Sequence, residues 1–361
     1  MDKFLKILDL AIELNASDIH LINDRSPVYR VEKRLVTRKE IEPLNKYDLE
    51  GLMEYLVDDS LDLVDLFESN KKLDIAYEHR GKRFRINASM SFGVPTFSIR
   101  IIPNEEIDIQ KFNLEEMIKT IKMFNTGLVL ITGKVNSGKS TTLNAFVQTI
   151  NKEKNKKIVM LEEPIEHRHK SDKCIIVQKE VGKTGDIPTY YDGVINLLRE
   201  DADIAIIGEI RDRQTMDAVL DLAESGTLVI GTLHTRSAGE TLDRILGLYS
   251  PNEQKSIKYI LSTVLKAIVS QKLVKDREGH IFMVPEIMLN NSVIAALIRQ
   301  EKFSISEIQD AINVRSEKGT ISFERSFAKL YKDGIITMES IRENVERDQL
   351  EYIEKLIGGD I

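Results

Sequence analysis

Thr132 to Thr141 read TGKVNSGKST, which sets Gly133, Gly138, Lys139 and Ser140 in the spacing GxxxxGK[ST]. Glycines at those points let successive backbone N–H groups curl round phosphate oxygens, and a helix starting behind them adds positive partial charge. Lys139 is placed to neutralise the β- and γ-phosphates, and the Ser140 hydroxyl to hold Mg²⁺. The flanks fit the motif, because the apolar run GLVLIT precedes it and the helix-compatible STTLNAFVQTI follows it. Gly133, Lys134, Val135, Asn136, Ser137, Gly138, Lys139, Ser140 and Thr141 therefore form a candidate ATP-binding loop.

Three further patterns place chemistry at strand ends. In ADIAIIGEIRD an apolar strand, Ile204 to Ile207, delivers Glu209, where a carboxylate orders metal or water next to a γ-phosphate. Glu209 is thus the second candidate Mg²⁺ contact beside Ser140. LEEPIEH follows the strand KIVML and sets Glu162 and Glu163 at the same edge, where one of them can orient or deprotonate the attacking water. Acidic turns after strands are common, so this cluster alone is as readily structural. His234 ends VIGTLH, and a neutral imidazole there can hydrogen-bond a γ-phosphate or be simply solvated. Arg83 and Arg85 share a strand face by alternation. With Arg100 they suit either solvated strand charges or arginine-finger contacts to phosphate.

The elements that must position these groups follow from pattern. The chain has 361 residues, room for two compact domains. Helical spacing of Phe4, Leu5, Leu8, Ala11 and Ile12, a second helical stretch over about Lys46 to Glu68, and strand-like alternation from Leu73 to Ile102 predict an α+β domain over 1–102. A hairpin is expected at His79 to Gly81. The acidic, Pro-containing stretch 103–112 reads as a linker, and 113–361 as the second domain. There LVLIT, KIVML, CIIVQ, DIAIIGEI and TLVIGTLH alternate with helix-period segments, which predicts an α/β domain with a largely parallel sheet. Ligands of such sheets bind at the carboxyl ends of the strands. From about 251 the chain reads as helical, with Ile257, Ile260, Leu261, Val264, Leu265 and Ile268 on one stripe.

Composition excludes several roles. A net charge of −7 argues against nucleic acid or a polybasic membrane anchor as the main partner. Cys174 is the one cysteine, so neither an internal disulfide nor a thiolate zinc site is available, and a reducing cytoplasm fits. MDKFLKILDLAIEL lacks the apolar core of a secretory signal. No apolar run approaches the roughly 20 residues a membrane helix needs, so direct membrane insertion is not expected.

Taken together, GKVNSGKSTT, LEEPIEH, LLREDADIAIIGEIRD and ESGTLVIGTLHTRSA resemble, in order and spacing, the Walker A, Asp, Walker B and His boxes of the secretion ATPases of type II secretion and type IV pili. ASDIHL (Ala16 to Leu21) and RFRIN (Arg83 to Asn87) resemble that family's first domain. Within the family the chain looks like the retraction ATPases, which have about this length and lack the tetracysteine zinc insert. VIAALIRQ, Val293 to Gln300, matches their AIRNLIRE motif at Ile294, Leu297, Ile298 and Arg299. The resemblance implies a RecA-like P-loop ATPase domain with a PAS-like N-terminal domain and a helical C-terminal subdomain. It implies ATP and Mg²⁺ as cofactors, with Glu162 as general base, Glu209 as the Walker B acid, His234 as the His-box residue, and Arg83, Arg85 and Arg100 as phosphate-contacting arginines. It further implies a cytoplasmic homohexamer, with nucleotide between the two domains, acting on an inner-membrane platform protein to retract pili. A pilus-assembly, competence or type II secretion ATPase is the alternative, and a nucleotide-binding regulatory module with negligible turnover a third.

The boxes depart from the family at three places. Asn136 stands where a glycine is usual, Glu162-Glu163-Pro164 replaces EDP, and Ser225 and Thr227 stand where the His box begins AETGH. A hydrogen bond made by that first histidine must be lost here or made by the Thr227 hydroxyl. Asn tolerates left-handed backbone geometry, so Asn136 is expected to leave the loop intact.

Overall fold

Period-two alternation from Leu73 to Ile102 gives three antiparallel strands whose inward residues, Phe84, Ile86, Ala88, Phe97 and Ile99, are buried. The computed structural model describes residues 2–32, 34–38, 40–57, 60–102, 106–183, 185–314 and 319–359. By contacts the chain divides into two units. The first comprises residues 1–105, Glu163–Arg168 and Gly182–Asp186, and the second takes the rest. The second therefore begins inside the stretch 103–112 read as a linker, and Ile107, Ile109 and Phe112 pack on its core. Residues 103–105 lie outside the described residues.

In the first unit, among the described residues, β1 (Asp18–Leu21), β2 (Val28–Val31), β3 (Arg34–Thr37), β4 (Lys72–His79), β5 (Lys82–Ser91) and β6 (Val94–Ile102) form one sheet in the order β3-β2-β1-β6-β5-β4. Every pairing is antiparallel. The hairpin expected at His79 to Gly81 is present, and Arg80 and Gly81 both take left-handed φ, 48° and 70°, the twist that suits a two-residue loop. Helix Asp2–Glu13 sends Phe4, Ile7, Leu8 and Ala11 into the same core as the inner sheet face. The stretch expected to be helical from Lys46 contains two helices, Lys46–Val57 and Leu61–Asn70.

In the second unit β7 (Gly127–Thr132), β8 (Lys157–Glu162), β9 (Ile175–Glu180), β10 (Ile204–Ile207), β11 (Leu228–Leu233), β12 (Leu265–Lys275) and β13 (Ile281–Leu289) form a sheet in the order β13-β12-β7-β11-β10-β8-β9. All neighbours run parallel except the β12–β13 hairpin. Alternate residues feed two cores. Leu128, Leu130, Val159, Leu161, Ala205 and Ile207 face one, and Val129, Ile131, Ile158, Met160, Ile204 and Ile206 the other. Burial on both sides explains why these strands read as unbroken apolar runs.

The structure corrects the expectation of a helical segment from about 251. Helix Pro251–Val264 ends where β12 starts, so Leu265 and Ile268 belong to a strand. LKAIVSQKLVK and IFMVPEIML are buried on both faces, which removes the alternation that would have marked them. Helices Ser292–Arg299, Ile305–Val314, Phe323–Lys332, Met338–Arg342 and Arg347–Gly358 follow.

Candidate active site

Register brings the chemistry to one edge. Thr132 pairs with Leu233, so the chain leaves β7 at Gly133 beside His234, and Ile207 pairs with Leu161, so Glu162 emerges beside Gly208. The loop after β7 turns into helix Lys139–Glu153 at Gly138, whose φ of 86° is a geometry that only glycine adopts at no cost. At Gly133 a Cβ would collide with Ser137 Oγ and lie 2.8 Å from the Gln271 carbonyl. Asn136 has φ 63°, the left-handed geometry expected of it, and the turn continues through it. Lys139 Nζ donates to the carbonyls of Gly133 (2.9 Å) and Lys134 (3.2 Å), while Ser140 at the helix start is exposed.

A chain of polar contacts runs from this lysine. Lys139 Nζ lies 3.1 Å from His234 Nδ1, His234 Nε2 lies 3.2 Å from Glu209 Oε1, and Glu209 Oε2 lies 2.8 Å from the Arg211 guanidinium. An ammonium can only donate, so Nδ1 accepts and the neutral ring donates from Nε2 to Glu209. Burial pushes the Lys139 ammonium below its usual range against the opposing pull of Glu209. Burial works to raise Glu209, but the hydrogen bond and charge of Arg211, with the hydrogen bond from His234, outweigh it and keep the carboxyl low and ionised. Arg211 was not among the candidates, although the sequence IRD directly after Glu209 offered it.

Glu162 ends β8, and its Oε2 accepts from Gln178 Nε2 on β9 at 2.9 Å. Gln178 in turn accepts from the His169 N–H through Oε1, so both ends of its amide are engaged. Glu163, by contrast, begins a segment that groups with the first unit. Among the described residues no group of three or more His, Cys, Asp or Glu could hold a metal on its own. One hydroxyl and one ionised carboxylate suit Mg²⁺ completed by phosphate oxygens and water, so Ser140 and Glu209 fit that ion.

The family model described as type II/IV secretion system protein matches residues 2–322. The chain belongs to the type II/IV secretion system protein family. It is 33% identical over 342 residues to the type IV pilus retractation ATPase PilT of Pseudomonas aeruginosa, covering 94% of this chain and 97% of that one. The type IV pilus ATPase PilU of the same organism is 32% identical, with 93% and 87% covered. A crystal structure of the pilus retraction motor PilT with bound ADP superposes with a TM-score of 0.86 at 33% identity, covering 96% of this chain and 98% of that one.

Other residues singled out in this family member sit as follows. Arg83 and Arg85 on β5 and Arg100 on β6 share the outer face of the first sheet, because Arg85 is opposite Arg100 in register. Arg85 donates to Asp74 at 2.6 Å and Arg100 to Asp18 at 3.1 Å. The Thr227 hydroxyl donates to the Ala202 carbonyl at 3.3 Å, and Ser225 Oγ donates to the Leu222 carbonyl at 2.8 Å. No helix among the described residues is long and apolar enough to cross a membrane.

On β13, Glu286 is fully buried and accepts from the Ala238 N–H at 2.8 Å and from Gln309 Nε2 at 3.0 Å. It thereby holds the start of helix Ala238–Leu246, which follows His234. Burial pushes its carboxyl up to about 7, against the lowering effect of those two hydrogen bonds. Between the ordinary 4.5 and about 7 the native state holds a proton that the unfolded chain has released. Stability therefore falls as pH rises through that window and levels above it, by a total on the order of 3 kcal/mol. Glu286→Gln should flatten that part of a plot of unfolding midpoint against pH. An unchanged slope in the variant would disprove the assignment.

Proposed function

We propose that the chain is an ATP-hydrolysing motor that powers retraction of type IV pili. The observation that carries the reading is the contact chain Lys139–His234–Glu209 at the carboxyl edge of a parallel sheet, on a chain similar throughout to a retraction ATPase. Lys139 would turn from the loop carbonyls to the β- and γ-phosphates, and His234, released from it, would read whether a γ-phosphate is present. Glu209 stays ionised through Arg211 and would order Mg²⁺ with Ser140. Bound Mg²⁺ supplies charge neutralisation between the phosphates. Glu162, oriented by Gln178, would take the proton of the attacking water.

Arg83, Arg85 and Arg100 are the proposed phosphate-contacting arginines, for which Arg85 and Arg100 would have to leave their aspartates. The working unit is a homohexamer at the cytoplasmic face of the membrane, passing motion to the platform protein of the pilus machinery. Purified protein should release phosphate from Mg·ATP, and a deletion strain should carry more surface pili than wild type. No turnover at any protein concentration would leave a regulatory module instead. Because VIAALIRQ matches the retraction motif at only four positions, an assembly or secretion ATPase stands as second reading, and that reading predicts a bald deletion strain.

A further inference from the structure

We infer that Gln271 is a positioning residue for the phosphate-binding loop, its buried side-chain amide fixing the peptide that presents the loop's N–H groups to phosphate. β12 runs parallel to β7 with Ser270 opposite Thr132, so Gln271 stands beside Gly133 where the loop begins. Its side chain is almost wholly buried, and both ends of the amide are used. Nε2 donates to the Ser137 carbonyl at 2.7 Å, and Oε1 accepts from the Thr142 hydroxyl at 2.9 Å. The amide thus bridges the last turn of the loop and the first turn of helix Lys139–Glu153.

The Ser137 carbonyl shares a trans peptide plane with the Gly138 N–H, and in such a plane the two groups point in opposite directions. Pinning the carbonyl against β12 therefore turns the Gly138 N–H away from the strand and towards the concave side of the loop. Gly138 has the permissive backbone of glycine, which leaves this peptide free to rotate unless something outside the loop holds it. The donating end of Gln271 is the group that does so. The accepting end takes the Thr142 hydroxyl inside the helix and does not touch the loop peptide.

This inference rests on the ATPase reading, and three variants test it. Gln271→Met keeps length and loses both bonds, Gln271→Glu keeps only the acceptor for Thr142, and Thr142→Val keeps only the donor to Ser137. Affinity for a fluorescent ADP analogue with Mg²⁺ is measured on each folded protein well below its melting transition, with KM and kcat for ATP alongside. Gln271→Met and Gln271→Glu should each weaken binding and raise KM by about tenfold, the effect of losing one buried hydrogen bond. Their kcat should stay within about threefold of wild type, because the loss falls on binding rather than on the transition state alone. Thr142→Val should stay within about threefold in every parameter. Should Gln271→Met fail to fold, Gln271→Glu carries the comparison. Normal affinity in either folded Gln271 variant would overturn the inference while leaving the ATPase reading intact. An equal loss in Thr142→Val would also overturn it, by making the accepting end or local packing responsible. Wild-type protein that binds no nucleotide would overturn both.

Discussion

Lys139→Ala should lose ATP hydrolysis by at least about 10²–10³-fold, the scale seen when a preorganised charge facing the transition state is removed. Lys139 is 9% exposed and lies among the Gly133 and Lys134 carbonyls and the His234 ring, so its ammonium is already largely desolvated before phosphate arrives. In that setting its charge acts on phosphate far more strongly than it would in water. The fold should survive, since burial disfavours the very charge that the substitution removes. Phosphate release and a thermal melt on the same sample check both halves. Turnover above a tenth of wild type in a folded variant would remove Lys139 from the mechanism.

Glu162→Gln should lower kcat by about 10²–10⁴-fold and leave nucleotide affinity near wild type, as expected for loss of a general base. The replacement is isosteric and can still bond to Gln178, so the end of β8 should keep its geometry. Glu163→Gln is the control. Its carboxylate begins the segment that groups with the first unit, and its loss should leave more than about a third of the activity. Single-turnover phosphate release with a parallel binding titration separates the two steps. If Glu163→Gln is the dead variant, the second acid of the LEEP turn is the base and the assignment moves by one residue.

The P-loop was legible because its chemistry is local, with glycines, lysine and hydroxyl within one turn and each residue's type tied to its own backbone or charge. Glu162, Glu209 and His234 were legible as residues that end apolar strands. That His234 bonds both Lys139 and Glu209 was not, since it depends on β11 lying between β7 and β10. Gln178, Gln271 and Glu286 escaped notice for the same reason. Each is a polar residue on a strand, and its partner lies on a neighbouring element. β12 and β13 were missed because a strand covered on both faces loses its period of two, and β12 continues the apolar stripe of the preceding helix without a break. The turn between them did leave a signal, DREGH with left-handed Gly279 and Asp276 accepting from two following N–H groups.

The place of β7 in the sheet also governs when the protein can begin to work during its own synthesis. The strand that carries the nucleotide loop takes its two neighbours from far downstream, and Thr132 meets Ser270 across 138 residues. At ribosomal speeds β7 emerges on the order of ten seconds before β12 exists to flank it. Until Lys275 has been made, one side of a strand that is wholly buried in the folded protein has no partner. The nascent chain is most exposed to aggregation over that interval, and the loop acquires its final shape only after β12 has been made.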